Sequence, residues 1–295
     1  MSEIDQSIRE LFGNLNRPLA PQATGTEPDL TPVSGIKAVI FDVYGTLICS
    51  GVGDISLIEE SDRNQLLREL TAKHGLALPD AIADPSGVFH GLIKADHAAA
   101  RERGVVYGEV DILSVWRRFF EKCAGRVPAA DGLRLFAAEY ECAVNPVWPY
   151  PGLSELLNAI KTAGLPMGIV SNAQFYTPLM LESFLGRSLS GLGFDERLLV
   201  WSFEHRLGKP SVELYHEQAR RLSEAQGIRP SESLYVGNDM LKDIWAAKEA
   251  GFQTALFAGD KRSLRRRTDD DRCANLSPDH TATELAQIRQ IIGLA

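Results

Sequence analysis

The chain has 295 residues, of which 44% are hydrophobic and 24% are charged, as in an ordinary globular protein with a buried core. Its net charge of −8 argues against nucleic acid or an anionic membrane as the main partner, and no apolar run approaches the roughly 20 residues that cross a bilayer. Four scattered cysteines disfavour a disulfide framework, and because no basic segment leads into an apolar one near the N-terminus, we expect a cytoplasmic protein.

Residues 1–35 form an extension that differs from the rest of the chain. Apolar residues fall at helical spacing over its first half, which predicts a short amphipathic helix. The Pro-, Gly- and Thr-rich residues that follow indicate a linker. The sequence leaves open whether the extension packs against the body of the protein, binds a partner or is a free tail. The apolar positions are Ile4, Ile8, Leu11, Phe12 and Leu15.

From residue 36 strands and helices alternate, with one long interruption. The run "KAVIFD" at 37–42 is continuously apolar and ends at an acid, which is typical of a parallel strand buried on both faces. Residues 51–148 contain four amphipathic segments with helical spacing, and the Pro-rich "NPVWPYPG" at 145–152 leads back to the alternating pattern. The four segments cover 56–75, 86–104, 111–125 and 131–144.

The alternation predicts an α/β fold with a doubly wound parallel sheet, because strands separated by helices are joined by right-handed crossovers. We expect a core domain built from 36–50 and 149–295, with an all-helical cap domain inserted over 51–148. Beyond the insert, we expect strands at 166–170, 198–202, 233–237 and 254–258, and helices at 153–163, 176–185, 211–226, 241–250 and near 282–292.

The polar residues that follow each predicted strand are candidate site residues, because ligands of such sheets bind beyond the carboxyl ends of the strands. One such residue alone would be better explained as a helix cap or a loop residue. Four groups in order at one edge of one sheet indicate a common site. They are Asp42, Tyr44, Gly45 and Thr46 after the first strand, Ser171 and Asn172 after the second, Lys209 after the third, and Asn238, Asp239 and Asp243 after the fourth.

Four motifs at these positions resemble those of the haloacid dehalogenase-like hydrolase superfamily. They are "FDVYGTL", "IVSNA", "GKP" and "VGNDMLKDIWAAKEAG", and the resemblance covers residues 36–293. The helical insert is similar to the cap domain of that family. The resemblance implies a hydrolase with a Rossmann-like core and a small phosphorylated or halogenated substrate.

Phosphoryl transfer gives these residues distinct roles. Asp42, at a rigid strand end, can attack phosphorus and form an aspartyl-phosphate, and Lys209 can act as a point charge on both Asp42 and the phosphate. Ser171 can hydrogen-bond a phosphoryl oxygen. We therefore expect Asp42, Lys209, Ser171 and Tyr44 to be catalytic, and Ser171, Asn172, Lys209 and Thr46 to bind substrate.

The acids at this edge of the sheet predict a bound cation. Three carboxylates meet one lysine, which leaves a charge of about −2, and two like charges 4 Å apart repel by about 4 kcal/mol at an effective dielectric of 20. Mg²⁺ is the expected counter-ion because it prefers hard oxygen ligands. The predicted ligands are Asp42, Asp239, Asp243 and the Tyr44 carbonyl.

Tyr44 departs from the phosphatases of the family that the chain resembles, which have an acid there to protonate the leaving group. Asp-x-Tyr-Gly-Thr is instead the pattern of the family's 2-haloacid dehalogenases, whose halide leaves without a proton. Tyr44 itself or Asp96 in the insert could supply a proton, although an ion pair between insert helices is the simpler interpretation of Asp96. The mixed-charge run at 261–272 is most simply a solvated loop.

The leading hypothesis is a Mg²⁺-dependent phosphatase that acts on a small phosphorylated metabolite. Paired acids in the fourth motif need a counter-ion, whereas a tyrosine is easily accommodated by packing. A metal-independent 2-haloacid dehalogenase and a non-catalytic binding protein stay open as alternatives. No motif specifies the substrate or the oligomeric state.

Overall fold

The computed structural model describes residues 2–51 and 60–294. Residues 52–59, which include the start of the first predicted insert helix, lie outside the described residues. The strands are β1 (Ala38–Phe41), β2 (Ile48–Ser50), β3 (Val147–Pro149), β4 (Met167–Ser171), β5 (Phe194–Trp201), β6 (Ser233–Gly237), β7 (Gln253–Phe257) and β8 (His280–Ala282).

Six of these strands form one parallel sheet with the order β5-β4-β1-β6-β7-β8. The predicted α/β fold with a doubly wound parallel sheet is therefore confirmed. The sequence patterns did not predict β8, or the short antiparallel pair of β2 and β3 that joins the two ends of the insert. A three-residue strand is too short to show a periodicity.

Helices flank the sheet and build the insert. The core helices are α6 (Leu153–Thr162), α7 (Tyr176–Leu185), α8 (Leu189–Leu192), α9 (Ser202–His205), α10 (Glu213–Gln226), a π-helix (Met240–Trp245) that continues into α11 (Ala246–Glu249), and α12 (Gln287–Ile291). The helix expected near 282–292 is shorter than predicted, because Ala282 belongs to β8 and the helix begins only at Gln287. The other helices are α1 (Glu3–Leu15) at the N-terminus and α2 (Glu60–Lys73), α3 (Pro85–Glu102), α4 (Ile112–Ala124) and α5 (Ala130–Val144) in the insert.

The central position of β1 explains its sequence. It pairs with β4 on one side and β6 on the other, and all four of its side chains are fully buried. The backbone N–H of the next residue, Asp42, still donates to the Val236 carbonyl at 2.9 Å. The apolar run thus carries Asp42 to the middle of the carboxyl edge of the sheet.

The insert has a hydrophobic cluster of its own, built around Trp116 of α4. The Trp116 ring stacks on Phe89 of α3, with 4.0 Å between the ring centroids. Helix α5 faces two clusters, because Phe136 packs with Trp116 while Ala138 packs in the core cluster. This helix therefore connects the insert to the core.

The N-terminal extension packs against the body of the protein. Helix α1 lies against α5 of the insert and α7 of the core, and Ile8 and Phe12 on its inner face are fully buried. The following segment continues along the core, where Asp29 pairs with Thr281 beside β8 and the Val33 N–H donates to the Ile291 carbonyl. The sequence left open whether the extension packs against the body of the protein, binds a partner or is a free tail, and here it is packed.

None of the described helices combines the length and the apolar content that a bilayer span requires.

Candidate functional site

A cavity of about 430 Å³ lies at the carboxyl edge of the sheet, with walls from the core and the insert. Residues from all four predicted groups meet there, which places the strand ends together as the sequence predicted. Those that line the cavity are Asp42, Tyr44, Gly45, Asn172, Lys209, Asn238, Asp239 and Asp243. Ser171 and Thr46 are fully buried and reach the site through hydrogen bonds.

Asp42 is held through one of its two carboxylate oxygens. Its Oδ1 accepts hydrogen bonds from Ser171 Oγ at 2.9 Å and from Lys209 Nζ at 2.6 Å. No hydrogen bond between described residues uses its Oδ2. The carboxylate is therefore fixed in direction while one oxygen stays available to a substrate or a cation.

Lys209 lies between two carboxylates. Its Nζ is 2.6 Å from Asp42 Oδ1 and 2.6 Å from Asp243 Oδ1, and its side chain is only 3% exposed. Burial disfavours the charged ammonium, but the two carboxylates outweigh it and raise the pKa of Lys209. The Lys209 backbone N–H donates to Asn172 Oδ1 at 2.7 Å, so Asn172 positions this loop as well as lining the cavity.

Asp243 has donors on both oxygens. Its Oδ1 accepts from Lys209 Nζ and, at 3.1 Å, from the Tyr235 hydroxyl. Its Oδ2 accepts from the backbone N–H groups of Asn238 and Asp239 at 3.0 and 2.9 Å. Burial raises the pKa of Asp243 to about 6, although Lys209 opposes the rise. This geometry favours a role in orienting Lys209 and the end of β6, and direct metal ligation by Asp243 stays a prediction.

Asp239 is bound by an arginine that the sequence analysis did not assign to the site. The Arg267 guanidinium donates to Asp239 Oδ2 at 2.6 Å through Nη2, and its Nε lies 3.1 and 3.2 Å from the two oxygens. Asp239 also caps the π-helix by accepting from the N–H groups of Leu241 and Lys242. Burial works against the Asp239 carboxylate, but the hydrogen bonds from Arg267 and these backbone groups hold its pKa below the usual value.

The interpretation of residues 261–272 as a solvated loop is wrong. Arg265 and Arg267 line the cavity, and the Arg265 backbone pairs with the end of β6, accepting from Met240 N and donating to Asn238 O. Arg267 has φ 51°, a left-handed conformation that side-chain-bearing residues rarely adopt. The mixed charges of this run did not indicate that it would fold back to line the cavity. The carboxylates of Asp42, Asp239 and Asp243 form ion pairs with Lys209 and Arg267. The net charge of these five side chains is therefore −1, whereas the sequence predicted about −2 for the three acids and Lys209.

Asn238 connects the first and fourth motifs. Its Oδ1 accepts from Thr46 Oγ1 at 3.2 Å, and its Nδ2 donates to the Ser263 carbonyl at 2.6 Å. Gly45 has φ 84°, and a Cβ there would lie 2.5 Å from Asn238 Nδ2, so this position requires glycine. Thr46 therefore supports Asn238 from below the surface, and its contact with substrate stays a prediction.

Two candidate acids from the sequence are poorly suited to donate a proton. The Tyr44 hydroxyl hydrogen-bonds with Thr177 Oγ1 at 3.0 Å, and burial raises the pKa of Tyr44 well above its usual value. Both Asp96 oxygens accept from the Arg118 guanidinium, at 2.8 and 2.5 Å. The interpretation of Asp96 as an ion-paired acid between insert helices is confirmed.

Two acids that the sequence did not single out also line the cavity. They are Glu109 and Glu141. Glu141 lies on α5, where its oxygens accept from the Tyr176 hydroxyl and from Asn145 Nδ2, each at 2.9 Å. Glu109 precedes α4 and accepts from Ser202 Oγ at 2.8 Å. Burial raises the pKa of both carboxyl groups. The one sequence signal for Glu141 is an acid in a largely apolar helix at the end of the insert.

The residues at the cavity fit a Mg²⁺ ion in donor type. The Tyr44 carbonyl oxygen accepts no hydrogen bond from described residues, and Asp42 and Asp239 each offer a carboxylate. Arg267 occupies Asp239, and within residues 2–51 and 60–294 no three His, Cys, Asp or Glu side chains are gathered as a metal site. Asp239 is therefore available as a ligand for a cation only when Arg267 no longer binds it.

Comparison with known proteins agrees with this site. The family model described as haloacid dehalogenase-like hydrolase matches residues 36–251. The chain is 31% identical over 237 residues to the N-acetylmuramic acid 6-phosphate phosphatase of Pseudomonas aeruginosa, covering 75% of this chain and 80% of that protein. It is 27% identical over 241 residues to the glyceraldehyde 3-phosphate phosphatase of Methanopyrus kandleri, covering 80% and 90%.

The fold is also similar to that of a solved 2-haloacid dehalogenase from Pseudomonas syringae pv. tomato, with a TM-score of 0.56. That comparison has 19% identity and covers 88% of this chain and 98% of the dehalogenase. The family match covers most of the core and all four strand-end motifs. The chain belongs to the haloacid dehalogenase-like hydrolases and is an enzyme of that class.

Proposed function

We propose that the protein is a Mg²⁺-dependent phosphatase that hydrolyses a small phosphate monoester through an aspartyl-phosphate. The observation that carries this proposal is Asp42, with one oxygen fixed by Ser171 and Lys209 and the other available. The relatives named for N-acetylmuramic acid 6-phosphate and glyceraldehyde 3-phosphate support a small phosphorylated metabolite as substrate. The cavity, at about 430 Å³, is within the range of small-molecule sites, roughly 300–1,000 Å³.

The side chains of the site divide the chemistry among them. Asp42 Oδ2 attacks phosphorus as the bond from phosphorus to the leaving oxygen breaks, and Lys209 holds Asp42 in line and neutralises charge on the phosphoryl oxygens. Once Arg267 leaves Asp239, its guanidinium can bind the phosphoryl oxygens in a bidentate manner. Water then hydrolyses the aspartyl-phosphate and restores Asp42.

A Mg²⁺ ion at this site would be held by Asp42, Asp239 and the Tyr44 carbonyl, and would neutralise negative charge on the phosphoryl group. Asp243 would act indirectly, because its four hydrogen bonds keep Lys209 and the end of β6 in place.

A 2-haloacid dehalogenase is the second candidate, and Tyr44 is the observation that favours it. Tyr44 supplies no effective acid, and release of halide needs none. In that reaction Asp42 would attack the halogen-bearing carbon, and Arg267 could bind the substrate carboxylate. The two candidates differ in their need for Mg²⁺ and in the bond that breaks.

The test is a panel of small phosphate monoesters and 2-haloacids, assayed with Mg²⁺ and with a chelator. We expect phosphate release that the chelator abolishes, and a loss of roughly 10⁴-fold or more in kcat for Asp42→Asn. The matched control is Asp96→Asn, an identical chemical change in an ion pair outside this cavity. Halide release that is unaffected by the chelator would contradict the phosphatase proposal and establish the second candidate.

A further inference from the structure

The proposed phosphatase reaction requires a proton that Tyr44 is badly placed to give. An alkyl leaving group departs as an alkoxide unless an acid protonates it, and general acid catalysis contributes typically 10²–10⁴-fold. The Tyr44 hydroxyl is turned to Thr177 and buried, and Asp96 is held by Arg118. The acid must come from another side chain that reaches the same cavity as Asp42.

Glu141 meets the geometric requirement. It lines the cavity that contains Asp42 and Lys209, and it comes from α5, the insert helix that also packs against the core. Its two oxygens accept hydrogen bonds only from neutral groups of the described chain, the Tyr176 hydroxyl and the Asn145 amide. The Tyr176 hydroxyl can also accept, so a protonated Glu141 would keep a partner there.

The charged groups around Glu141 leave it without a cationic partner in the described part of the chain. Arg134 of α5 pairs with Asp5 of α1, and Lys73 of α2 pairs with Glu139 of α5. The charge of Glu141 contributes to raising the pKa values of four neighbouring groups, all of which are neutral in the usual pH range. They are Tyr44, Tyr140, Cys142 and Tyr176. A carboxyl group that lines a cavity without a counter-ion is a typical setting of a catalytic acid.

Glu109, the other unassigned acid of the cavity, is less suited to the role. It accepts from the Ser202 hydroxyl, from the Val110 N–H and, at 3.3 Å, from Gln174 Nε2. The positive charges of Lys242 and Arg206 also favour its ionised form. Three donors and two cations stabilise a carboxylate, which points to a positioning role for Glu109.

We propose that Glu141 is the general acid and base of this enzyme, taking the place of the acid that Tyr44 replaces in the first motif. This inference rests on the proposed phosphatase function and names a further catalytic residue for it. Burial raises the pKa of Glu141, which supports a protonated side chain at the start of the reaction.

The proton balance of the two steps is complete. In the first step Asp42 Oδ2 bonds to phosphorus, the bond to the leaving oxygen breaks, and the Glu141 proton moves to that oxygen directly or through one water. The alcohol leaves and Glu141 is a carboxylate. In the second step water attacks phosphorus, its proton moves to Glu141, and the bond to Asp42 breaks. Phosphate leaves, with Asp42 ionised and Glu141 protonated again.

The experiment compares leaving groups in Glu141→Gln and in the wild type. For an alkyl phosphate such as glycerol phosphate we expect kcat to fall about 10²–10³-fold, because the leaving oxygen loses its acid. For p-nitrophenyl phosphate, whose leaving group needs no proton, we expect the first step to slow less than about threefold, measured as the burst of p-nitrophenol. The matched control is Glu139→Gln on the same helix, which lies outside the cavity and should keep the wild-type dependence on leaving group.

The pH dependence gives a second measurement. Because the acid works only when protonated, kcat for the alkyl phosphate should fall as the pH rises through the pKa of Glu141, and Glu141→Gln should lose this limb. Glu141→Asp should keep the limb with reduced kcat.

The possible outcomes separate the two proposals. An equal loss for both leaving groups, or no loss, would overturn the role of Glu141 while phosphate release by the wild type supports the phosphatase function. Halide release without phosphate release would overturn both. If Glu141→Gln fails to fold, infrared spectroscopy of the wild type and of Glu141→Asp replaces it. The measurement follows the stretching band of the protonated carboxyl group at position 141 across the active pH range. A fully ionised carboxyl group throughout that range would contradict the proposal.

Discussion

Lys209 and Arg267 neutralise most of the negative charge that the three carboxylates bring to the site. Lys209 binds Asp42 and Asp243, and Arg267 binds Asp239, so each of the three carboxylates has a cationic partner. An unpaired buried charge would cost several kcal/mol, which explains why these pairs form. The expectation that these acids need a bound cation as counter-ion is therefore too strong. The case for Mg²⁺ rests on the oxygen donors that line the cavity.

Arg267 gives a prediction for metal binding. Because its guanidinium occupies Asp239, a Mg²⁺ ion has to displace it. We expect Arg267→Gln to bind Mg²⁺ about tenfold more tightly, a gain of roughly 1.4 kcal/mol, measured by calorimetry without substrate.

The control for Arg267 is Arg266→Gln, the same change at the adjacent residue, whose side chain donates to Thr26 and is exposed. Its affinity for Mg²⁺ should equal that of the wild type. Unchanged or weaker binding by Arg267→Gln would show that Arg267 does not compete for the metal.

The sequence was informative where residues follow strands. Asp42, Asn172 and Lys209 could be placed at one edge because carboxyl ends of parallel strands converge. Arg267 and Glu141 could not, because each enters the cavity from a loop or helix whose approach depends on tertiary packing. The partners of Asp243 could not be predicted either, since its four donors come from Lys209 and from residues 235–239, which meet at Asp243 only in the folded chain.

At the level of elements, the π-helix at Met240–Trp245 replaces the first part of an expected α-helix. The Asp239 carbonyl accepts from the N–H groups of both Asp243 and Ile244, and its side chain accepts from two more. π-Helical turns are rare and are frequent at functional sites. Amphipathic spacing cannot distinguish one such turn from an α-helical one, so its prediction required the structure.

Helix α1 is an element whose contribution to stability can be measured. Phe12 is fully buried between α5 and α7, and its ring lies 6.1 Å from that of Tyr176. We expect Phe12→Ala to lower the free energy of unfolding by about 3–5 kcal/mol, because the cavity left behind adds to the lost burial. Urea titration would measure the change.

Leu15→Ala is the matched control on the same helix, since Leu15 is 48% exposed. Its cost should stay within about 0.5 kcal/mol. Equal effects of the two substitutions would mean that α1 is not docked in solution as it is here.

At the scale of the whole molecule, the division of the sequence into core and insert came from periodicity alone. Alternating strands and helices predicted the parallel sheet, and the long helical interruption corresponds to the second hydrophobic cluster around Trp116. The placement of residues 1–35 could not be predicted, because an amphipathic stripe shows that a helix needs a partner and not which one. The domain boundaries themselves stay a prediction.

The docking of α1 has a consequence for proton chemistry. Phe12 packs on Tyr176, and the Tyr176 hydroxyl donates to Glu141, so Tyr176 connects the extension to the carboxyl group that we propose as the acid. Trimming Phe12 to alanine would let solvent approach Tyr176, and a better hydrated carboxyl group ionises more easily. We therefore expect the alkaline decline of kcat in Phe12→Ala to begin at lower pH than in the wild type, while Leu15→Ala leaves the profile in place. An unshifted profile would mean that the first helix stabilises the enzyme without tuning it; a shifted one would make this distant helix a determinant of the pH at which the enzyme works.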